Sequence, residues 1–268
     1  MLEVIKRLIK SGIGWTVEIF GDTSPGRFFL EQTLGVILEK KQMTRHNGIE
    51  LTFSVPNKIN YYRFDTFSTK EPETLEWIDS IPKESVLWDI GANVGLYTRY
   101  AAKARDCEVF AFEPSVFNLE ILARNIFLNG LTRQVVIIPL PLSERIAFNT
   151  LNMESTEWGA AKSTFGQDYG HDGRPLEKTF EFQTMGLSMM DAVKLLRIPE
   201  PDYIKMDVDG IEHLILKGAG SILKNIKGIL IEINEDFKKQ SVESTRFLSE
   251  AGLVFKEKRQ SDMFKNSA

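Results

Sequence analysis

Two short stretches of the 268-residue chain hold the side chains best suited to chemistry. In 203–213, YIKMDVDGIEH, strand alternation places Lys205, Asp207 and Asp209 on one face and Ile204, Met206 and Val208 on the other. Three charges in line at the end of an apolar strand are costly to desolvate without partners, so the cluster marks a candidate site. The competing reading is structural. Lys205 and Asp207 would only pair with each other, and Asp209 with Glu212 would cap the next helix as a D-x-x-E arrangement. In 86–98, VLWDIGANVGLYT, an apolar strand runs into Asp89, then a Gly91-x-x-x-Gly95 turn, then a helix. Glycine lets the backbone turn tightly and approach a ligand closely. A dinucleotide pyrophosphate favours G-x-G-x-x-G. An acid beside the glycine turn instead suits a cation, such as a sulfonium carrying an ammonium group.

Glu113 ends the next strand, 24 residues after Asp89. A carboxylate there can accept both ribose hydroxyl protons of an adenosine. At the third strand end, Ser143 of Leu142-Ser143-Glu144 stands where it could bond a purine edge. Asp89, Gly91, Asn93, Gly95, Glu113 and Ser143 are therefore the expected cofactor-binding set. Asp207, Asp209, Lys205 and Glu232 form the expected catalytic set, Glu232 coming from a fifth strand, GILIEI, at 228–233. Two or three of these carboxylates could hold Mg²⁺, but their spacing does not demand it and no metal ligand is assigned. His213 is a further candidate base, weighed against a simple exposed histidine on a helix.

These residues need a frame. Strands at 86–90, 108–112, 135–138, 203–208 and 228–233 alternate with helices at 73–80, 96–104, 115–128, 187–196, 211–224 and 241–251, which predicts right-handed crossovers and a parallel sheet. A last strand is expected at 253–256. Residues 146–185 break the rhythm. Their flanks, 146–152 and 179–185, read as a hairpin around the turn-rich 166–175, GQDYGHDGRP, and the insertion is expected to form a lid or substrate wall in which Trp158, Phe165 and Tyr169 line a pocket or anchor the insert. Residues 1–70 read as an N-terminal appendage to a domain spanning 71–268. It has an opening helix, a strand at 49–55 and a second strand at 59–67. Leu2, Ile5, Leu8 and Ile9 recur at helical spacing, as in a docking helix or, alternatively, a membrane-surface helix.

The motifs together resemble the FkbM family of methyltransferases. The matching residues are DIGANVGLYT (89–98), FEP (112–114), Asn125, LSE (142–144), IKMDVDGIEHLILKGA (204–219) and ILIEIN (229–234). The resemblance covers about residues 80–256. It implies an α/β class I methyltransferase Rossmann-like fold, S-adenosyl-L-methionine as methyl donor, and a hydroxyl acceptor on a sugar, glycan or secondary metabolite. The family usually has Glu at the position of Asp209, so reach is shortened by one methylene with charge kept. Its tail usually runs longer, which leaves the last sheet edge open to question. A nicotinamide-dependent oxidoreductase and a non-catalytic binding protein of the same fold are the competing readings.

Composition bounds the rest. Hydrophobic residues make up 43% and charged residues 26%, with a formal net charge of −4, so no basic excess points to nucleic acid. The single cysteine, Cys107, excludes an internal disulfide and a thiolate zinc cluster and fits a cytoplasmic setting. No stretch reaches the ~20 apolar residues of a membrane span.

Overall fold

The computed structural model describes residues 2–259, so the last nine residues of the expected 71–268 domain lie outside the described residues. In chain order the elements are α1 (Leu2–Gly21), α2 (Ser24–Leu38), β1 (Lys41–His46), β2 (Ile49–Ser54), α3 (Lys58–Asp65), α4 (Pro72–Ser80), β3 (Val86–Ile90), α5 (Leu96–Arg105), β4 (Glu108–Phe112), α6 (Val116–Leu128) and β5 (Val135–Ile138). Then follow β6 (Ala147–Met153), β7 (Ser163–Phe165), β8 (Phe180–Gly186), α7 (Met189–Leu196), β9 (Tyr203–Met206), α8 (Glu212–Lys217), α9 (Ile222–Asn225), β10 (Gly228–Ile231) and α10 (Lys238–Glu250).

The apolar strands pair in parallel in the order β10-β9-β3-β4-β5. Strands of such a sheet are buried on both faces. Leu87, Val109 and Ala111 pack on one side with Tyr100 and Ile121, while Trp88, Ile90, Phe112 and Ile204 pack on the other with Met189 and Ile215. From central β3 the chain winds outward through β4 and β5, then crosses back to β9 and β10. The reversal leaves a crevice at the carboxyl ends of β3, β4 and β9, where open α/β sheets bind ligands. This is the class I methyltransferase arrangement.

The insertion folds as a three-stranded antiparallel sheet, order β7-β6-β8, with Ala147 opposite Gly186 and Met153 opposite Phe180. Its flanks are the expected hairpin. Between β6 and β7, residues 154–162 form a strap that crosses the sheet's carboxyl end.

Three expectations are corrected. Residues 59–67 are not a strand but mostly α3. The Pro56-Asn57 turn acts as a helix start, with the Asn57 side chain accepting from the Asn60 amide. The missing partner of the 49–55 strand is instead β1. It is joined to β2 by Asn47-Gly48, both at positive φ (46° and 81°), as a two-residue hairpin turn requires. Residues 253–256 form no strand. The Leu253 amide is spent on the Leu248 carbonyl, and Val254 and Phe255 are exposed, so β10 edges the sheet among the described residues. The helix expected over 211–224 is split into α8 and α9 by Gly218 and Gly220. The opening helix packs on α2, with Leu8, Ile13, Trp15 and Phe20 left exposed. No helix among the described residues is long and apolar enough to cross a membrane.

Candidate active site

The strand register brings Asp89 and Lys205 side by side on one sheet face. Asp89 is 1% exposed. One carboxylate oxygen accepts from the Thr98 hydroxyl on α5, and the other faces Lys205 Nζ at 3.5 Å. Lys205, also buried, lies 3.5 Å from Asp207 Oδ2, 3.4 Å from the Gly91 carbonyl and 5.6 Å from the Tyr97 ring centroid. Burial opposes the lysine's charge, but Asp89 and Asp207 outweigh it and hold its pKa above the ordinary value. The Tyr97 hydroxyl in turn donates to Glu71 at 2.8 Å.

Asp89 was expected to face a bound cation jointly with Glu113. It turns inward instead, because Lys205 stands directly opposite and a buried carboxylate needs its counter-ion. Gly91 and Gly95, both at positive φ, were expected to leave room for a ligand. A Cβ at Gly91 would sit 1.8 Å from the Asp207 carbonyl, and one at Gly95 2.5 Å from Leu122 Cδ1, so the protein's own packing uses that space.

Glu113 sits at the tip of β4, two positions beyond the partner of Asp89. It is 4% exposed, and its two oxygens accept from the amides of Asn93 (2.7 Å) and Ser115 (2.8 Å). Burial pushes its pKa up to about 7 against the pull of those amides. The Asn118 side chain donates a third hydrogen bond to it, which leaves acceptor capacity for one ribose hydroxyl. Asn93, at φ 50°, donates through its side chain to the Ala160 carbonyl of the strap, as does Asn118 of α6.

Asp207 lies half-buried just beyond β9. Glu232, just beyond β10, donates its backbone amide to the Met206 carbonyl and shares a side-chain hydrogen bond with Asp207. Burial alone would raise Asp207, but Lys205 and the bond from Glu232 hold its pKa low. The negative charge of Asp207, with burial, pushes Glu232 up. The pair thus favours an ionised Asp207 beside a protonated Glu232.

Asp209 does not continue a charged strand face, because β9 has ended. At φ 59° it turns away and accepts from the amides of Lys162 and Ser163 in the strap. Burial, then the charge of Asp207, raises it to about 6. The D-x-x-E cap of the competing reading is absent. Glu212 reaches back to the 207–210 turn, accepting from the amides of Val208 and Gly210 and from Gln240. Ser143 is held through its backbone: its amide donates to the Leu187 carbonyl, and its own carbonyl packs against Gly218, tying it to α8. His213 is fully buried rather than exposed, edge-on to Phe237, with neither ring nitrogen hydrogen-bonded. Trp158 packs on the apolar core with its carbonyl held by Asn57 and Asn60, and it also lines a cavity with Asn57, Ile59 and Glu157; Phe165 is buried and Tyr169 meets Phe237 edge-on, so these two anchor the insert. No group of three or more His, Cys, Asp or Glu side chains is set to hold a metal ion among the described residues.

Sequence reasoning missed Arg63, Glu71, Tyr97 and Glu212 as site residues. Arg63 was hidden by reading 59–67 as a strand. Tyr97 lay within the quoted motif, where helical spacing from Gly95 could have aimed it at the strand tips.

The sheet order and the crevice at its carboxyl ends are those expected of a class I methyltransferase fold. The methyltransferase FkbM domain matches residues 89–255, and the chain belongs to that family. A hexuronic acid methyltransferase, AglP of Haloferax volcanii, is 26% identical over 207 residues, covering 77% of this chain and 79% of its own. Among solved structures, the precorrin-6Y C5,15-methyltransferase of Geobacter metallireducens aligns with TM-score 0.40 and 15% identity, over 68% of this chain and 70% of that one. TYW2 of M. jannaschii, solved in complex with AdoMet, aligns with TM-score 0.30 and 23% identity, over 40% of this chain and 48% of that one.

Proposed function

We propose that the protein transfers a methyl group from S-adenosylmethionine to a hydroxyl of a sugar or glycan, with Asp207 as general base. The observation that carries this reading is half-buried Asp207 at the tip of β9, 3.5 Å from buried Lys205, with Glu232 at the neighbouring tip of β10. The fit to an adenosyl group rests on Glu113, a buried acid at a strand tip with acceptor capacity left for a ribose hydroxyl. When bound, S-adenosylmethionine supplies an electrophilic methyl whose C–S bonding pair stays with sulfur on transfer.

The chain's own residues do the remainder. Glu113 holds the ribose, and the Asn93 turn lies against it. Asp89 is a positioning residue: it fixes Lys205, and Lys205 keeps Asp207 ionised. Asp207 takes the proton from the acceptor hydroxyl as the oxygen gains the methyl, and Glu232 steadies the charge by donating its hydrogen bond. The strap, pinned to Asn93, Asn118 and Asp209, keeps water from the strand tips. The relative's hexuronic acid supports a sugar acceptor.

Labelled-methyl transfer to a panel of glycosides tests this. Asp207→Asn is expected to bind S-adenosylhomocysteine as the wild type does while losing about 10²–10⁴-fold in turnover. Full turnover in that variant would remove Asp207 from the reaction.

A further inference from the structure

Beside the strap, between it and α3, lies a cavity of about 390 Å³, large enough for a monosaccharide-sized ligand. Ile59, Tyr62, Arg63, Lys70, Glu154 and Lys162 line it, with strap residues 159–161. Three cations against one acid is an unusual wall in a chain of net charge −4. Two of the cations are already matched, Lys70 with Glu71 at 2.6 Å and Lys162 with Glu154 at 3.2 Å.

Arg63 is not matched. Its Nε and Nη2 both donate to the Gly159 carbonyl, at 2.9 and 2.7 Å, and among the described residues it makes no ion pair and no bond through Nη1. Arg63 is half-buried, and a guanidinium keeps its charge in such a place, so its Nη1 side is open to an anionic ligand. The acids whose fields reach it are Asp207, Glu71 and Asp209, so the lone cation and the candidate base belong to one neighbourhood. A planar guanidinium fork suits a carboxylate, which can take two parallel hydrogen bonds from it.

Resting on the function proposed above, we propose that this cavity receives the carboxylate of an acidic sugar acceptor, a uronic acid, with Arg63 as its counter-ion. Lys70 adds a second positive charge on the same wall. A sugar anchored by its carboxylate at Arg63 presents its ring hydroxyls toward Asp207. A neutral sugar of the same shape forgoes the ion pair with Arg63, so the site selects for charge as well as for shape.

Calorimetric titration of the full chain with methyl β-D-glucuronide and methyl β-D-glucoside tests the proposal, with and without saturating S-adenosylhomocysteine. The wild type is expected to bind the glucuronide at least about tenfold more tightly, a difference of about 1.4 kcal/mol. Arg63→Gln should abolish that preference and Arg63→Lys should keep part of it, with S-adenosylhomocysteine bound equally by all three proteins. Equal affinity for the two sugars, binding of neither, or a preference that survives Arg63→Gln overturns the proposal. Failure of the wild type to bind S-adenosylhomocysteine overturns the cofactor reading alone, because the sugar preference is read independently.

Discussion

The strand tips and the strap that crosses them are built in opposite ways. At the tips of β3 and β9 the polar groups are buried charges held by charges, with Lys205 between Asp89 and Asp207. The strap is held mostly through its backbone, by side chains reaching up from below: Asn57 and Asn60 to Trp158, Arg63 to Gly159, Asn93 and Asn118 to Ala160, and Asp209 to Lys162. The first kind of contact is strong and hard to lose. The second is divided among several modest hydrogen bonds, which suits a cover that must let ligands pass. Rigid chemistry below a releasable cover is the division of labour this difference implies.

Breaking the tips should cost the whole fold. Lys205→Met leaves Asp89 buried without a counter-ion and is expected to lower unfolding free energy by about 3–5 kcal/mol in urea titration. A loss under about 1 kcal/mol would mean that charge does not hold the tips. Glu212→Ala strips the acceptor from the amides of Val208 and Gly210 and from Gln240. It should cost about 2–3 kcal/mol, and turnover should fall further than stability because the 207–210 turn loses its anchor. Disturbing the cover should be smaller and local. Asn118→Ala removes one donor to Ala160 and the acceptor of the Gly159 amide, each worth about 1 kcal/mol. Hydrogen exchange at 158–163 should quicken while exchange in β3 and β4 stays unchanged; equal loss in both regions would erase the distinction between tips and cover.

The same contrast explains what the sequence revealed. The five parallel strands announce themselves as apolar runs, and the acids at their ends stand out because charge is rare there. Glu113 and Asp207 are legible for that reason. Their partners are less so. That Asp89 faces Lys205 depends on β3 lying beside β9, a register between segments over a hundred residues apart. The strap and α3 carry no periodic signal strong enough to place them. INYYRFDTF has the aromatic content of a strand, and only the Asn57 cap and contacts to Trp158 and Gly159 make most of it a helix. Ser143 carries a use the sequence does not show, since its backbone also joins the start of the insert to α8.

The most direct test of the account is calorimetric binding of S-adenosylhomocysteine to the wild type and to Glu113→Gln between pH 6 and 8. Ribose hydroxyls need the ionised carboxylate, and Glu113 titrates at about 7, above the ordinary range, so its ionised fraction grows as the pH rises. Wild-type affinity should climb about tenfold across that interval. Glu113→Gln should bind about ten- to a hundredfold more weakly at pH 8 and show a flat profile. A flat wild-type profile, or a variant that keeps both affinity and slope, would contradict the placement of the adenosyl group at the tip of β4.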